Sequence, residues 1–489
     1  MSFFADVYPS LLLSLLAAWV AAAVSTLPLW RRRLGDAGVL AAIVLAALAA
    51  CPRLCQPRAH RVYYDEFEHL DAARNIADYG RWGETILGGL PGRSLLARPT
   101  WPGGHHAELA LIWRVFGGGQ AVAFDLNVLM SSGAAFWLVA AAACALGLRA
   151  GLLAGGSWAA LALSWRWAAT ADLCTPAAFW AAASLAGLAL ERAEDSAAAR
   201  AFAGLSLAYA IQVRFENALL LPFAWAVWRG PRRALLLPTL AFAFPATLAV
   251  LNARQALPGF SEGPAAALAA LREHLPANLV ALAALPGVLL LVPGLAAASL
   301  RREGREWLAL AVAYLLVYSA FFRGRFDCQE RYALGVLLPL LPAAAAGWDL
   351  LLPPAPAAAL ALLAPFLALN AAAPDVPPLA GPAASEELLR SASVAIPARA
   401  YVLTFTPSAV RVAAGRPAAE VYYVLEDRAR FERERAEDGA APELALWKDW
   451  AWRGKGAETR NLEAWLSDRY ETRSVARVGD DEFVILSPR

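Results

Sequence analysis

The sequence predicts an all-α domain that crosses a membrane about twelve times, followed by a small α/β domain outside the membrane. Of the 489 residues, 59% are hydrophobic and only 17% are charged, whereas about a quarter of the residues in a soluble domain are charged. Apolar runs of about 20 residues, enough for a helix to cross the hydrocarbon core, recur up to residue 371. Arginines collect in alternate short loops between these runs.

Each apolar run is interpreted as one span, and together the spans make a transmembrane domain over residues 1–371. The first run, residues 8–30, is too long for the core of a signal peptide and has no basic residue before it, so we expect it to be retained. The spans are predicted at residues 9–29, 36–51, 122–147, 150–169, 173–191, 199–213, 216–229, 234–251, 278–298, 306–322, 332–348 and 352–371.

The arginine-rich loops predict the orientation of the chain. If every span crosses, these loops fall on one side, which the positive-inside rule identifies as cytoplasmic. The loop of residues 52–121 and the tail then lie on the outer side, where we expect the function. The alanine- and arginine-rich composition is typical of GC-rich bacterial genomes, so we expect a bacterial inner membrane with the outer side facing the periplasm. The arginines concerned are Arg31, Arg32, Arg33, Arg192, Arg200, Arg229, Arg232, Arg233, Arg301, Arg302 and Arg305.

The tail, residues 372–489, has the pattern of a small α/β domain. Prolines at residues 374–382 indicate a linker before it, and we find no catalytic motif in it. The net charge of +2 gives no indication of a nucleic-acid partner. The predicted elements are strands at residues 401–405, 421–425 and 482–486 and a helix at residues 461–470.

An acidic cluster opens the outer loop of residues 52–121. Asp65 and Glu66 precede an apolar stripe at helical spacing, which predicts an amphipathic helix lying along the membrane surface. The positive end of such a helix favours anions. Two interpretations remain open: Asp65 is an N-cap and the other acids form a solvated face, or the acidic pair is the reactive centre. The stripe consists of Leu70, Ala73, Ile76 and Ala77.

Asp172 is the second acidic candidate. It lies between two apolar runs, at a predicted outer edge of the membrane. An ionisable residue at that depth is costly and is therefore a functional hypothesis by default. The alternative is a simple ion pair with Arg166 at the membrane interface.

Polar islands around Arg214, Arg325 and Arg331 interrupt the later apolar stretches on the predicted outer side. The guanidinium group is planar and presents several N–H donors, which suits phosphate oxygens. These arginines, with Tyr332, are therefore candidates for binding a lipid phosphate. Structural ion pairs with Asp327 or Glu330 are the competing explanation.

Three histidines are further candidates. The pair His105 and His106 follows two glycines in a turn, and could bind a metal ion, a lipid phosphate or nothing. His69 lies three residues after Glu66 without a second histidine on that helix, so the zinc-protease pattern is absent. The sequence does not require a cofactor, and it is compatible with a divalent cation.

Together these motifs resemble the GT-C class of membrane glycosyltransferases, and most closely its branch of protein O-mannosyltransferases and lipid A aminoarabinose transferases. The resemblance covers residues 36–371 and depends on the order of the motifs. Gly103 to His106 depart from it, because family members usually have a proline pair there, and an extra span precedes the first loop. The matching motifs are Tyr64-Asp65-Glu66 with Ala72-Ala73, residues 102–117 ending in Phe116-Gly117, Asp172 with Phe179, residues 204–216 with Arg214 and Glu216, and Glu330-Arg331-Tyr332 with Pro339 and Pro342.

The resemblance implies transfer of a sugar from a polyprenyl phosphate to a glycan, lipid or protein acceptor on the outer face, with inversion of the anomeric centre. It implies Asp65 as the base, with Glu66 assisting and Asp172 orienting the acceptor or the base. For the donor phosphate it favours Arg331 first and Arg214 second, with Arg325 and Tyr332 as further candidates.

Three other functions remain open. An O-antigen ligase or polymerase also joins lipid-linked sugars, but its charged loop usually falls late in the chain. A transporter or flippase of lipid-linked sugars would favour internal repeats and charged helices at mid-membrane, and we find no repeat. A catalytically inactive relative, acting as a receptor or scaffold, would keep the same sequence pattern.

Overall fold

The computed structural model describes residues 2–90, 93–97, 101–117, 119–253, 263–320, 324–373 and 380–489. They form a bundle of helices and one seven-stranded sheet. Residues 374–379 of the predicted linker lie outside this part of the chain. The bundle helices are α1 (Ser2–Leu54), α2 (Tyr63–Tyr79), α3 (Gly104–Phe116), α4 (Gln120–Leu146), α5 (Leu148–Ala160), α6 (Ala162–Ala168), α7 (Cys174–Ala193), α8 (Ala197–Val213), α9 (Leu220–Val227), α10 (Leu236–Ala253), α11 (Gly263–Ala284), α12 (Val292–Ala298), α13 (Arg302–Ala320), α14 (Ala333–Leu351) and α15 (Pro356–Ala371).

Helix α1 doubles back at Gly35 and so contains the first two predicted spans. Gly35 has φ 70° and ψ 163°, a positive-φ conformation that glycine adopts without steric cost. Trp19 in the first half of α1 lies against Trp137 of α4. Arg53 near the far end of α1 donates to Ser131 of the same helix α4 at 2.7 Å. Both halves of α1 therefore pack along α4.

Several helices of the described chain are suited to a membrane. Three are long and apolar enough to cross one, namely Ala5–Leu54, α4 and Glu330–Leu351, and α11 with α12 forms a fourth candidate that bends by 94°. These apolar helices support a membrane location. The other predicted runs are helical as well, although residues 150–169 and 278–298 are each interrupted. The number of crossings, about twelve, stays a prediction.

The four arginine-rich loops meet at one end of the bundle. Arg33 of the first loop binds Glu194 in the second, and Arg192 of the second loop binds Glu306 at the start of α13. Arg229 of the third loop donates to the backbone oxygen of Arg192 at 3.3 Å. The loops therefore share one side of the molecule, and the identification of that side as cytoplasmic stays a prediction.

One sheet joins the outer loop to the tail. Its strand order is β2-β1-β4-β3-β5-β7-β6, and β1 of the outer loop pairs antiparallel with β4 of the tail through Leu87 with Ala419 and Gly88 with Ala418. A hairpin that the sequence pattern did not predict thus completes the sheet of the tail. The strands are β1 (Glu84–Leu90), β2 (Arg93–Ala97), β3 (Tyr401–Thr404), β4 (Ala418–Glu420), β5 (Leu444–Lys448), β6 (Tyr470–Val478) and β7 (Asp481–Pro488), and the tail helices are α16 (Ala380–Ala392), α17 (Pro407–Ala409), α18 (Val421–Glu426), α19 (Arg428–Glu437) and α20 (Gly456–Ser467).

The predicted elements of the tail are confirmed with one exception. Strands β3 and β7 overlap the predicted strands, and α20 overlaps the predicted helix at residues 461–467, whereas the strand predicted at residues 421–425 is wrong, because this segment forms α18. Val421, Tyr423 and Val424 are buried while Tyr422 is exposed, so the burial pattern by itself does not distinguish a helix from a strand here. Tertiary packing here overrides the strand propensity of valine and tyrosine.

Arg411 of the tail fastens α2 to the sheet. Its side chain is buried and lies 3.4 Å from Asp71 and 3.5 Å from Asp78. It also donates to the hydroxyl of Tyr79 at 3.2 Å. Ser408 of the tail donates to Asp71 at 3.3 Å. The tail and the outer loop are therefore joined by a buried ion pair as well as by strand pairing.

Replacing Arg411 with methionine is expected to lower the free energy of unfolding by about 3 kcal/mol, because it leaves the buried carboxylate of Asp71 without its cation. The measurement is thermal unfolding of the purified protein followed by tryptophan fluorescence. Arg430→Met is the matched control, since Arg430 forms an exposed pair with Glu434. Equal unfolding temperatures for the two variants would contradict the role of Arg411.

Candidate active site

Helix α2 carries the first acidic candidate. It begins at Tyr63 with Val62 as its N-cap and no capping side chain, so the interpretation of Asp65 as an N-cap is wrong. The Asp65 side chain is 28% exposed and binds Arg331, with 2.8 Å between the carboxylate oxygen and the guanidinium nitrogen. Asp65 is thus an accessible carboxylate in the first helical turn, where the helix dipole favours negative charge.

Glu66 joins the start of α2 to the turn after α6. Its carboxylate accepts from the backbone nitrogens of Arg61 at 2.8 Å and Val62 at 2.9 Å. It also accepts from the backbone nitrogen of Ala171 at 2.8 Å and lies 2.9 Å from Nδ1 of His60. Both oxygens are engaged and the side chain is fully buried. This arrangement suits a group that positions the site more than one that contacts a substrate.

Replacing Glu66 with glutamine is expected to lower the free energy of unfolding by about 2 kcal/mol, because the amide turns an N–H group toward backbone N–H donors. Thermal unfolding of the purified variant measures this loss. Glu387→Gln on the exposed face of α16 is the control, and a Glu66 variant as stable as this control would contradict the positioning role.

The acids of α2 do not form a solvated face, so that interpretation is wrong. Asp71 is fully buried and Glu68 is 7% exposed, like the apolar Leu70 beside them. These acids are buried because the tail and the β1–β2 hairpin cover this face of α2. The local sequence pattern does not predict such a tertiary contact. Burial, together with the neighbouring carboxylate of Glu84, raises the pKa of Glu68 well above its ordinary value.

The second acid, Asp172, lies in the turn between α6 and α7. One of its oxygens accepts from the backbone nitrogen of Cys174 at 2.7 Å, and the other binds Arg331. Burial by itself raises the pKa of Asp172, but the charges of Arg331 and Arg214 outweigh it and hold the pKa well below the ordinary range. Arg331 therefore bridges two carboxyl groups, with Asp172 inside and Asp65 at the edge.

Of the structural ion pairs considered as alternatives, the structure contains that of Arg325 but not those proposed for Arg166 and Arg331. Arg166 lies 3.3 Å from Glu330, so the proposed pair of Arg166 with Asp172 is wrong, and Glu330 is not the partner of Arg331. Arg325 forms an exposed pair with Asp327 at 3.1 Å, as the structural explanation predicts. The structure does not bring Arg325 into the contacts around Arg331.

Arg214 and Arg331 flank the ring of Tyr332. Their guanidinium carbons lie 5.3 and 5.2 Å from the ring centroid, and the ring of Tyr318 stacks on that of Tyr332 with 5.2 Å between the centroids. A narrow cavity of about 10 Å³ lies beside the two arginines. In the described part of the chain, Nε of Arg331 is buried without a hydrogen-bond partner. The cavity walls include Cys174, Arg214, Asn217, Tyr314, Tyr318 and Arg331.

The three candidate histidines are all buried. Nδ1 of His105 lies 2.9 Å from Glu108 of the same helix, whereas Nε2 of His106 lies 3.3 Å from Nδ1 of His69. His105 and His106 therefore have different partners, Glu108 and His69 respectively. Within the described ranges, no group of three histidine, cysteine, aspartate or glutamate side chains lies close enough to hold a metal ion.

Aromatic side chains complete the site and were missed by the sequence reasoning. Trp101 lies 4.9 Å from the guanidinium carbon of Arg214, and Trp167 lies 6.0 Å from that of Arg331. The sequence signal that could have indicated Trp101 is its position next to Pro102 in a glycine-rich turn. A Cβ atom on Gly104 would lie 2.7 Å from the backbone oxygen of Gln212, so glycine here permits the close approach of α3 and α8.

The buried acid–arginine bridge and its helix bundle are typical of a membrane-embedded site, and solved structures with a similar fold exist. No protein-family model matches the sequence, and no curated protein sequence matches it either. The archaeal oligosaccharyltransferase AglB from Archaeoglobus fulgidus, solved with an inhibitory peptide and a dolichol-phosphate, has a TM-score of 0.50 and 10% identity over 84% of this chain and 69% of AglB.

Two further structures are similar over much of the chain. ArnT from Cupriavidus metallidurans, bound to undecaprenyl phosphate, has a TM-score of 0.47 and 13% identity over 91% of this chain and 97% of ArnT. AglB in complex with zinc and sulfate has a TM-score of 0.46 and 12% identity over 83% of this chain and 67% of AglB. At such identities the likeness concerns the fold alone, and at this level the resemblance to the GT-C class is confirmed.

Proposed function

We propose that this protein is a glycosyltransferase that moves a sugar from a polyprenyl-phosphate donor to a hydroxyl of a glycan, lipid or protein on the outer face of the membrane. The observation that carries the proposal is the bridge of Arg331 between Asp65 and Asp172. It places an accessible carboxylate next to a buried cation, as transfer from a phosphate requires. The AglB structure, which has a similar fold, contains dolichol-phosphate, which is itself a polyprenyl phosphate.

The neighbouring guanidinium groups of Arg331 and Arg214 are proposed to bind the donor phosphate. In the described part of the chain Nε of Arg331 is buried without a hydrogen-bond partner, and both arginines line one narrow cavity. Charge-assisted hydrogen bonds from guanidinium groups stabilise the charge that grows on a departing phosphate. Tyr332 holds both guanidinium groups by cation–π contact. Arg325 is left out of this site, because its contacts are elsewhere.

Asp65 is the proposed base, because it is 28% exposed, whereas Asp172 is 2% exposed and held from both oxygens. The acceptor oxygen forms its bond to the anomeric carbon while its proton passes to Asp65. The bond from that carbon to the phosphate oxygen breaks, and the electron pair leaves with the phosphate toward Arg331. Attack of the acceptor oxygen on the side of the anomeric carbon opposite to the phosphate gives inversion. Asp172 orients Arg331, and Glu66 positions α2.

Co-purification of the donor tests the proposal without knowledge of the acceptor. The Asp65→Asn variant should retain an intact polyprenyl-phosphate sugar, detected by mass spectrometry, at a higher occupancy than the unchanged protein, because turnover is blocked after binding. Failure of both proteins to retain any polyprenyl lipid would overturn the donor assignment. Movement of intact donor across vesicle membranes, unaffected by Asp65→Asn, would identify a flippase instead.

A further inference from the structure

Three buried ring side chains form a relay that ends beside the acidic bridge. Nε1 of Trp82 donates to Nδ1 of His106 at 3.1 Å, and Nε2 of His106 lies 3.3 Å from Nδ1 of His69. Each of the three residues is at most 5% exposed. The relay runs from the β1–β2 hairpin side through α3 to α2, the helix that carries Asp65.

The direction of the relay follows from the indole group, which can only donate. Nδ1 of His106 must therefore accept, so the proton of neutral His106 lies on Nε2. That proton is donated to Nδ1 of His69, which must in turn be unprotonated. The proton of His69 therefore lies on its Nε2. If His69 were doubly protonated, its Nδ1–H group would face the Nε2–H group of His106, and the two donors would repel each other.

The electrostatics of the site agree with this assignment. Burial is the main cause that lowers the pKa of His69 to about 4, against the opposing charges of Asp172 and Asp65. Burial, with the neighbouring His69, also lowers the pKa of His106 well below its ordinary value. Both imidazoles are thus neutral near pH 7, and His69 is a fixed donor and not a proton carrier.

Nε2 of His69 is free to contact a substrate. His69 follows Asp65 by four residues, so the two side chains lie on the same face of α2. Its ring centroid is 6.5 Å from that of Trp101, the ring that covers Arg214. Among the described residues, the one hydrogen bond of His69 uses its Nδ1. Nε2 of His69 is not one of the fully enclosed side-chain atoms that lack a partner, so this nitrogen is accessible to a small molecule that enters the site.

We propose that His69 selects the donor sugar by donating its Nε2 hydrogen to one sugar hydroxyl, in a tautomer fixed by Trp82 and His106. This inference rests on the proposed function. It names the chemical group recognised: a hydroxyl oxygen of the transferred sugar. Trp82 and His106 are positioning residues, because they act through His69.

The tautomer is tested without any activity measurement. The chain has five histidines, so nitrogen-15 NMR of histidine-labelled protein gives a small set of signals, and His69→Gln assigns the one of interest. The expected result is His69 protonated on Nε2 only, from pH 6 to 8. Trp82→Phe should change this signal, whereas Trp19→Phe, which removes a distant indole donor to Ser206, should not. A proton on Nδ1 of His69 would overturn the relay.

The contact is tested with a series of undecaprenyl-phosphate hexoses that each lack one hydroxyl. His69→Phe should raise KM for the complete sugar roughly 3- to 10-fold, the value of one neutral hydrogen bond, with a smaller change in kcat. One deoxy sugar should be used equally well by the unchanged protein and by His69→Phe, because the hydrogen bond is already absent. His69→Gln, which keeps an N–H donor, should recover part of the loss.

The outcomes separate this inference from the proposed function. Absence of transfer by the unchanged protein defeats the proposed function, while the NMR result still decides the tautomer. Transfer that depends on Asp65, combined with equal KM values for His69→Phe and the unchanged protein on every sugar, defeats the role of His69 alone.

Discussion

The variant Asp65→Asn is expected to transfer sugar about 10²- to 10⁴-fold more slowly than the unchanged protein, the range that a positioned general base contributes. Asparagine has the same shape but cannot take the proton of an acceptor hydroxyl. The fold should persist, because Arg331 keeps its second and more deeply buried partner, Asp172. The measurement is single-turnover transfer from the donor lipid that co-purifies with the protein.

A matched acid shows whether the effect is specific. Asp125 also pairs with an arginine, Arg58, in an exposed position, and Asp125→Asn should keep nearly full activity. Thermal unfolding of Asp65→Asn should lie close to that of Asp125→Asn. Full-rate transfer by purified Asp65→Asn would falsify the assignment of Asp65 as the base.

Replacing Arg331 with methionine is expected to have the largest combined effect on stability and donor use. It leaves the carboxylate of Asp172 buried without its cation, which costs about 3–5 kcal/mol. It also removes the guanidinium group proposed to bind the donor phosphate. Thermal unfolding measures the first loss, and the amount of polyprenyl lipid that co-purifies measures the second.

The double variant Arg331→Met with Asp172→Asn separates the two losses. Removing both charges should restore much of the stability, because no uncompensated charge stays buried. Donor retention should remain low, since the phosphate still lacks its cation. Arg325→Met is the control, because its pair with Asp327 is exposed and should affect neither property. Normal donor retention by the double variant would show that the phosphate binds elsewhere.

The acidic and basic candidates could be located from the sequence because charge is rare in this chain. Asp172 and Arg331 each stand at the edge of an apolar run, where an ionisable side chain is costly and needs a partner, and Asp65 stands at the start of an amphipathic stripe. Their partners in space could not be predicted, since the three residues are more than 100 positions apart along the chain. Only the packing of α2, the α6–α7 turn and the start of α14 brings them into contact.

Roles within the clusters were harder to predict. Glu66 and Asp65 are adjacent acids with similar local surroundings, yet Glu66 is engaged by backbone donors from two loops. His69 was one histidine among several until the contact with His106 was known. Hydrogen-bond direction depends on tertiary contacts such as that of Trp82, and a single sequence contains no record of them.

The helical part of the fold could be predicted more fully than the sheet. Long apolar runs predict helices through composition alone, and the predicted runs are largely helical in the structure, with interruptions in residues 150–169 and 278–298. Strands β1 and β4 have no such signal, because Gly88 and the short run at Ala418–Glu420 are held in place by pairing with each other. Strand pairing between distant segments depends on the whole chain and not on local propensity.

The shared sheet has a consequence for the order in which the protein is made. Strand β1 leaves the ribosome early, but its partner β4 follows 330 residues later, as Gly88 and Ala418 show. During that interval the bundle helices enter the bilayer while the hairpin keeps an unpaired edge, a surface prone to pairing with other chains. Arg411 is also synthesised late, so α2 can dock on the tail only near the end of synthesis. Because α2 also carries Asp65, the surroundings of the proposed base are complete only after the tail has been made.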